Sequence, residues 1–173
     1  RQMFIRDLVE GVSRELKVQT EDLPERIAQL SEKLKAAEKE IETLRKQQLA
    51  ARASEFVSAA KDINGFKVIA LTLPEGTTGG DLRTVATDLR NRLREEEAVI
   101  VLGAEDKGKF PFIAAATDKA VGRGVKSGDI VKEFGQYVDG RGGGKPDMAQ
   151  GSGSTAAGAE RGFEAVKDML ESL

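Results

Sequence analysis

The chain has 173 residues, room for one modest domain and an extension. A formal charge of −2 with 32% charged residues rules out a globally basic surface, so any nucleic-acid contact must be a local patch. No Cys means no disulfide and no thiolate metal site, and no His removes the commonest general base and the commonest zinc ligand, so no catalytic residue and no metal site are expected.

Neither a membrane span nor a signal-peptide pattern is visible, and the absence of Cys fits a reducing, cytoplasmic setting. The start at Arg1 rather than Met reads as a piece cut from a longer chain.

Met3, Ile5, Leu8, Val9, Val12 and Leu16 recur mostly at helical spacing and predict an amphipathic helix ending near Lys17. Asp22-Leu23-Pro24-Glu25 then reads as a new helix start, with Asp22 as N-cap and the proline tolerated in the first turn. From there Leu23, Ile27, Leu30, Leu34, Ala37, Ile41, Leu44, Gln48 and Ala51 alternate steps of four and three, a coiled-coil seam. The helix is expected to run on through Phe56 and Ala60 to an Asn64-Gly65 stop, roughly 60 Å of rod, too long for a small globule with a radius of gyration near ~13 Å to enclose. The seam therefore needs an outside partner. A second copy is preferred, through Leu23, Ile27, Leu30, Leu34, Ile41 and Leu44, with the first helix folding back over about half the length; the alternatives are another domain of a longer chain and an intramolecular helical hairpin.

Beyond Gly65 the pattern shortens. Phe66 to Leu73 is β-branched and apolar, Leu82, Val85, Ala86, Leu89 and Leu93 outline an amphipathic helix, and Ala98 to Leu102 is a continuous apolar run suited to a buried strand. Glu105-Asp106-Lys107-Gly108 is turn chemistry before a strand from Phe110 to Ala116, and helices around Ile130 to Tyr137 and Ala159 to Leu170 would cover the sheet. The first connection predicts a parallel crossover. The expected fold is α/β: a long coiled-coil helical region, residues 1–63, followed by a small α/β domain with a mixed sheet, residues 64–173.

The most informative segment is the glycine-rich loop 140–153. Gly142-Gly143-Gly144 leaves the main chain without Cβ atoms, open to close approach by a ligand, and Arg141 and Lys145 bracket it with positive charge. A polyanion such as a sugar-phosphate backbone fits; a flexible linker is the plainer alternative, opposed by the rigid, anchored run Pro146-Asp147-Met148-Ala149-Gln150 behind the glycines. A Walker loop is excluded because Asp139 and Pro146 stand where it needs glycine and a hydroxyl. The dinucleotide fingerprint at Gly151 to Ala156 lacks the strand that must run into it.

The coiled coil, the α/β unit and the string Gly142-Gly143-Gly144-Lys145-Pro146-Asp147-Met148-Ala149-Gln150 before a last helix together resemble the C-terminal domain of bacterial alanyl-tRNA synthetase, over essentially the whole chain. A related domain occurs in DHH-family phosphoesterases and RecJ-like nucleases, where a histidine typically follows the glycine triplet and contacts phosphate. Lys145 stands in that place and favours the synthetase branch, since lysine holds phosphate as a point charge and is a poor acid at neutral pH. The resemblance implies a tRNA-binding and dimerising appendage. It would grip the corner of tRNA(Ala) and assist charging and editing by other domains of the parent chain, which would use ATP, magnesium and zinc; no cofactor is expected in this segment.

The residues expected to contact nucleic acid are Arg141, Gly142, Gly143, Gly144, Lys145 and Gln150, the glycines through N–H groups, the cations through phosphates, and Gln150 through the loop itself or a ribose. Arg123 and Lys126 either extend the patch or are a solvated basic loop. Met148 is read as a core plug before a base-stacking group. With 5% aromatic residues, a stacking platform is poorly supported, and recognition by shape and phosphate suits tRNA better. Two rivals remain: the substrate-binding half of a DHH-type phosphodiesterase or nuclease with its metal site upstream, and a coiled-coil scaffold whose glycine loop binds nothing.

Overall fold

The computed structural model describes residues 1–173. It divides into a helical unit, Arg1–Lys46, and an α/β unit, Gln47–Leu173. The second unit thus begins earlier than the expected boundary between 63 and 64, because Leu49, Ala53 and Phe56 already belong to its core.

In the helical unit α1 spans Gln2–Leu16 and ends on Lys17 in the left-handed conformation, φ 55°. A 3-10 turn, Thr20–Asp22, leads into α2, Leu23–Ala51. Ser13 and Leu23 are buried near this corner, and the Ser13 and Thr20 hydroxyls lie 3.2 Å apart. The rest of the apolar seam stays open: Ile27, Leu34, Ile41 and Leu44 are 50–60% exposed, and most apolar residues of α1 are exposed too, from Val12 at 43% to Met3 at 77%. Folding back of α1 to cover half of the seam is not what the chain does.

The long helix also stops sooner than expected. The helical path continues past Ala51 with Arg52 still in the αR region, its N–H donating to Gln48 O at 3.2 Å. As α3, Ala53–Ser58, it takes in Phe56 as expected, but it gives way to strand β1, Lys61–Ile63, before Asn64-Gly65 is reached. Asn64 and Gly65, expected to terminate a helix, both take positive φ (53° and 83°) and instead form the tight turn into β2, Phe66–Thr72. Two positive-φ residues in this order match the twist of a β-hairpin.

The remaining elements are α4 (Gly79–Arg92), β3 (Ala98–Gly103), β4 (Phe110–Ala116), α5 (Asp118–Gly122), α6 (Ser127–Tyr137), β5 (Arg141–Gly144), β6 (Met148–Gly153) and α7 (Ala159–Glu171). They make a six-stranded mixed sheet in the order β1-β2-β3-β4-β6-β5, in which only β2 and β3 run parallel, joined by the crossover helix α4. Strand β3 reads as an unbroken apolar run because both of its faces are covered. Val99 and Val101 point into a core with α6 and α7, and Ala98, Ile100 and Leu102 into a second core with α4 and α3. Phe134 of α6 is fully buried, with ring centroids of Phe112 and Phe163 each 5.0 Å away, a contribution of about 1.5–3 kcal/mol from burial alone.

Helix α4 starts on a reciprocal cap. The Thr78 hydroxyl accepts from the Asp81 N–H at 3.1 Å, and the Asp81 carboxylate accepts from the Thr78 N–H at 3.1 Å.

Candidate nucleic-acid interface

The glycine-rich segment is not a free loop but the edge hairpin of the sheet. The Lys145 N–H donates to Met148 O at 2.9 Å and closes the turn over Pro146 and Asp147. Hydrogen-bonded and non-bonded pairs alternate along an antiparallel ladder, so Gly143–Gln150 and Arg141–Ser152 exchange main-chain bonds, while Gly142 and Gly144 turn their amides to the free edge. The expectation that all three glycines offer N–H groups is corrected accordingly: the amide of Gly143 is taken by β6.

The glycines also differ in what surrounds them. A Cβ on Gly142 would stand 2.5 Å from Val131 Cγ1, so its absence lets α6 lie directly on β5. A Cβ on Gly144 would stand 2.6 Å from Met148 O. A Cβ on Gly143 would meet nothing within 4 Å. That bare position opens onto a groove of about 510 Å³ between the hairpin and α4, lined by Arg83, Thr87 and Arg90 from the helix and by residues 143–145 and 147–150 from the hairpin.

The groove has a cationic rim. Lys145 is exposed at the turn. Arg83 donates to Gln150 Oε1 at 3.0 Å, and Gln150 Nε2 donates to Gly79 O at 3.0 Å, so Gln150 fastens the start of α4 to β6 and holds the Arg83 guanidinium. Its side chain does not bond the glycine segment to itself. Arg90 reaches Asp147 Oδ2 at 3.3 Å, a half-exposed pair that leaves the rim with more positive than negative charge. Arg141 is exposed and, two residues from Gly143, shares its strand face. Beyond Arg90 a second, smaller pocket of about 250 Å³ continues past Asn91 and Arg94.

Arg123 lies elsewhere. Its guanidinium stacks 4.0 Å from the Phe66 ring centroid and donates to Asn64 O at 3.1 Å and to Glu97 Oε2 at 2.8 Å. It therefore clasps the β1–β2 turn at the opposite edge of the sheet, roughly 20 Å from β5 at about 4.8 Å per strand, and does not extend the patch. Lys126 is exposed at the N-cap of α6, whose Ser127 N–H donates to Pro146 O at 2.9 Å, so it adjoins the hairpin turn. Met148 packs against the α4-side core, in keeping with a plug.

Arg83, Thr87 and Arg90 escape the sequence reading. Their signal is nevertheless there: they repeat at steps of four and three, a polar stripe on the same helix as the apolar stripe that is easily traced. Chemically the groove can hold an anion, through two guanidiniums, one ammonium and outward amides at the adjoining edge. No group of three or more His, Cys, Asp or Glu side chains comes together here in a way that could hold a metal ion.

A family model described as the DHHA1 domain matches residues 65–172. The chain is 52% identical to an alanine–tRNA ligase of Corynebacterium efficiens over 170 residues, and 39% identical to that of Mycobacterium avium over 169. Each match takes in 97% of this chain and 19% of the relative, so the chain spans about a fifth of the length of the ligases it resembles. Among solved structures, the C-Ala domain of the Aquifex aeolicus alanyl-tRNA synthetase superposes with a TM-score of 0.59 at 22% identity, covering 65% of this chain and 97% of that one. RecJ from Thermus thermophilus gives 0.53 at 19% identity, covering 75% of this chain and 18% of RecJ. At such identities both likenesses concern the fold. The family model takes in well over half of the residues, including every one that lines the groove beside the glycine hairpin, and the chain belongs to the DHHA1 domain family.

Proposed function

We propose that this chain is the C-terminal, tRNA-binding and dimerising appendage of a cytoplasmic alanine–tRNA ligase. It grips the tRNA by its sugar-phosphate backbone and holds it for the catalytic and editing domains of the longer chain, to which the ATP, magnesium and zinc chemistry belongs. The observation that carries this reading is the groove itself, where Arg83, Arg90 and Lys145 face the unobstructed Gly143. A bare main-chain position admits a phosphate to contact distance, and side-chain cations around it supply attraction without sequence preference. The ligase branch is supported over the phosphodiesterase branch by Lys145 and by identity across 97% of the chain to alanine–tRNA ligases. The dimer is supported by the open seam of Ile27, Leu34, Ile41 and Leu44.

The test is a titration of tRNA(Ala) against the chain at two ionic strengths, for the unmodified protein and for Lys145→Ala and Arg141→Ala. Each variant is expected to bind more weakly, with a salt slope smaller by about one for each phosphate no longer neutralised. Unchanged affinity in both would overturn the groove as the RNA site.

A further inference from the structure

Two arginines of α4 face the groove, and the hairpin holds each of them differently. Arg83 is bonded by a neutral amide: its Nη1 donates to Gln150 Oε1 at 3.0 Å, and Gln150 is itself anchored on Gly79 O, so the guanidinium is fixed with its charge undiminished. Arg90 is bonded by an anion. Its Nη1 donates to Asp147 Oδ2 at 3.3 Å and to Asp147 O at 3.4 Å, so a carboxylate offsets its charge.

That contact is weak for its kind. Both bonds come from one nitrogen, and Nε and Nη2 of Arg90 make none. The 3.3 Å separation exceeds the roughly 2.7–2.9 Å of a well-formed guanidinium–carboxylate bond, and the Asp147 side chain is 46% exposed, so water screens the pair. A phosphate presenting two oxygens can engage a guanidinium through two parallel bonds, which Asp147 does not.

The surroundings of Asp147 leave its side chain as the movable part. Its carbonyl accepts from the Ala116 N–H at 3.0 Å, Pro146 O accepts from the Ser127 N–H at 2.9 Å, and the Lys145 N–H closes the turn on Met148 O. The main chain of the turn is pinned on both sides, whereas the carboxylate has no bond except the one to Arg90. Rotation about χ1 therefore frees it at the loss of that bond alone. Arg90 and Asp147 also line both the larger groove and the smaller pocket beyond it, so the pair forms the partition between them.

The geometry points to Asp147 as an internal competitor of the RNA: its carboxylate holds the place on Arg90 that a backbone phosphate takes, and binding exchanges one anion for the other, joining the two pockets into one track along α4. This rests on the groove being the RNA site and adds the residue that sets its affinity. Arg83 and Lys145 bind phosphate directly; Arg90 does so only through the exchange.

Asp147→Asn removes the competing charge and keeps a residue suited to the turn, with the urea midpoint as a check on folding. It should bind tRNA(Ala) about two- to fivefold more tightly than the parent at an unchanged salt slope, because Arg90 already neutralises a phosphate in the parent complex. Arg90→Gln should lower the slope by about one with or without Asp147→Asn. Asp118→Asn makes the same change of charge at an exposed carboxylate beside the smaller pocket that bonds no arginine, and should gain less. A slope that rises by about one in Asp147→Asn means that Asp147 keeps Arg90 in the complex. Equal gains from Asp118→Asn and Asp147→Asn reduce the effect to general electrostatics, and unchanged or weaker binding by a folded Asp147→Asn means that nothing competes. Each of these overturns the inference, while weaker binding by Lys145→Ala or Arg141→Ala leaves the groove standing. If neither of those two variants binds more weakly, the groove reading fails and this inference with it. Should Asp147→Asn not fold, Arg90→Gln decides alone: a parent slope that it leaves unaltered overturns the exchange.

Discussion

Gly142 and Gly143 are neighbours on one strand, yet a methyl group added to each would meet different surroundings. At Gly142 it would collide with Val131 of α6, so Gly142→Ala is expected to lower the stability of the α/β unit by about 1–3 kcal/mol, seen as a lower urea midpoint at unchanged slope. At Gly143 it would project into the empty groove, so Gly143→Ala should leave stability within about 0.5 kcal/mol of the parent. If an RNA backbone approaches to contact distance, that same methyl should cut tRNA affinity at constant salt slope, because it removes space and no charge; undiminished binding would mean the ligand does not approach Gly143. The sequence announces a bare main chain here but not which glycine serves packing and which serves access, since that depends on α6 lying on one side of β5 and the groove on the other. Arg123 illustrates the same limit. Its charge and its glycine neighbours suggest a patch, while its actual partners, Phe66, Asn64 and Glu97, come from two other segments of the chain.

Most elements are legible because a single physical signal dominates each: the β-branched, apolar stretch of β2, the unbroken apolar run of β3, and the 3.6-residue stripe of α4. Misreading occurs where two signals compete. Asn64-Gly65 suits both a helix C-terminus and a hairpin turn, and the decision falls to the hairpin because Phe66 is drawn fully into the core beneath Arg123, pulling Lys61–Ile63 into register with β2. The hairpin of β5 and β6 is hidden for a related reason: glycine has low strand propensity, and only the cover of α6 and the ladder to β4 hold it extended. Helix α4 carries the groove on one face and the core on the other, so its start must be fixed accurately. Thr78→Ala removes the reciprocal cap and should cost about 1 kcal/mol, lowering the melting temperature by a few degrees. A drop in tRNA affinity beyond what that destabilisation explains would show that the cap also positions Arg83. A melting temperature unaltered by the change would mean that Gln150 and the core packing of α4 alone define the helix start.

At the scale of the whole chain the two units carry separable properties. The α/β unit has its own two-sided core and contains every residue of the groove, whereas the helical unit contributes a seam whose apolar residues are mostly exposed. A chain of residues 47–173 retains Leu49, Ala53 and Phe56, and so keeps the complete core of its unit. It is expected to unfold cooperatively, to sediment as a monomer, and to bind tRNA with the same salt slope as the longer chain, because the slope counts phosphates neutralised within one groove. At an unchanged slope its apparent affinity falls where two grooves of a dimer engage the same tRNA, since the second groove then acts through effective concentration and not through new chemistry. Measuring both quantities separates the possibilities. An equal slope with weaker binding assigns the helical unit to avidity, equal slope and equal affinity assign it to assembly alone, and a smaller slope would show that cations of α1 or α2 touch the RNA directly and that the groove is only part of the interface.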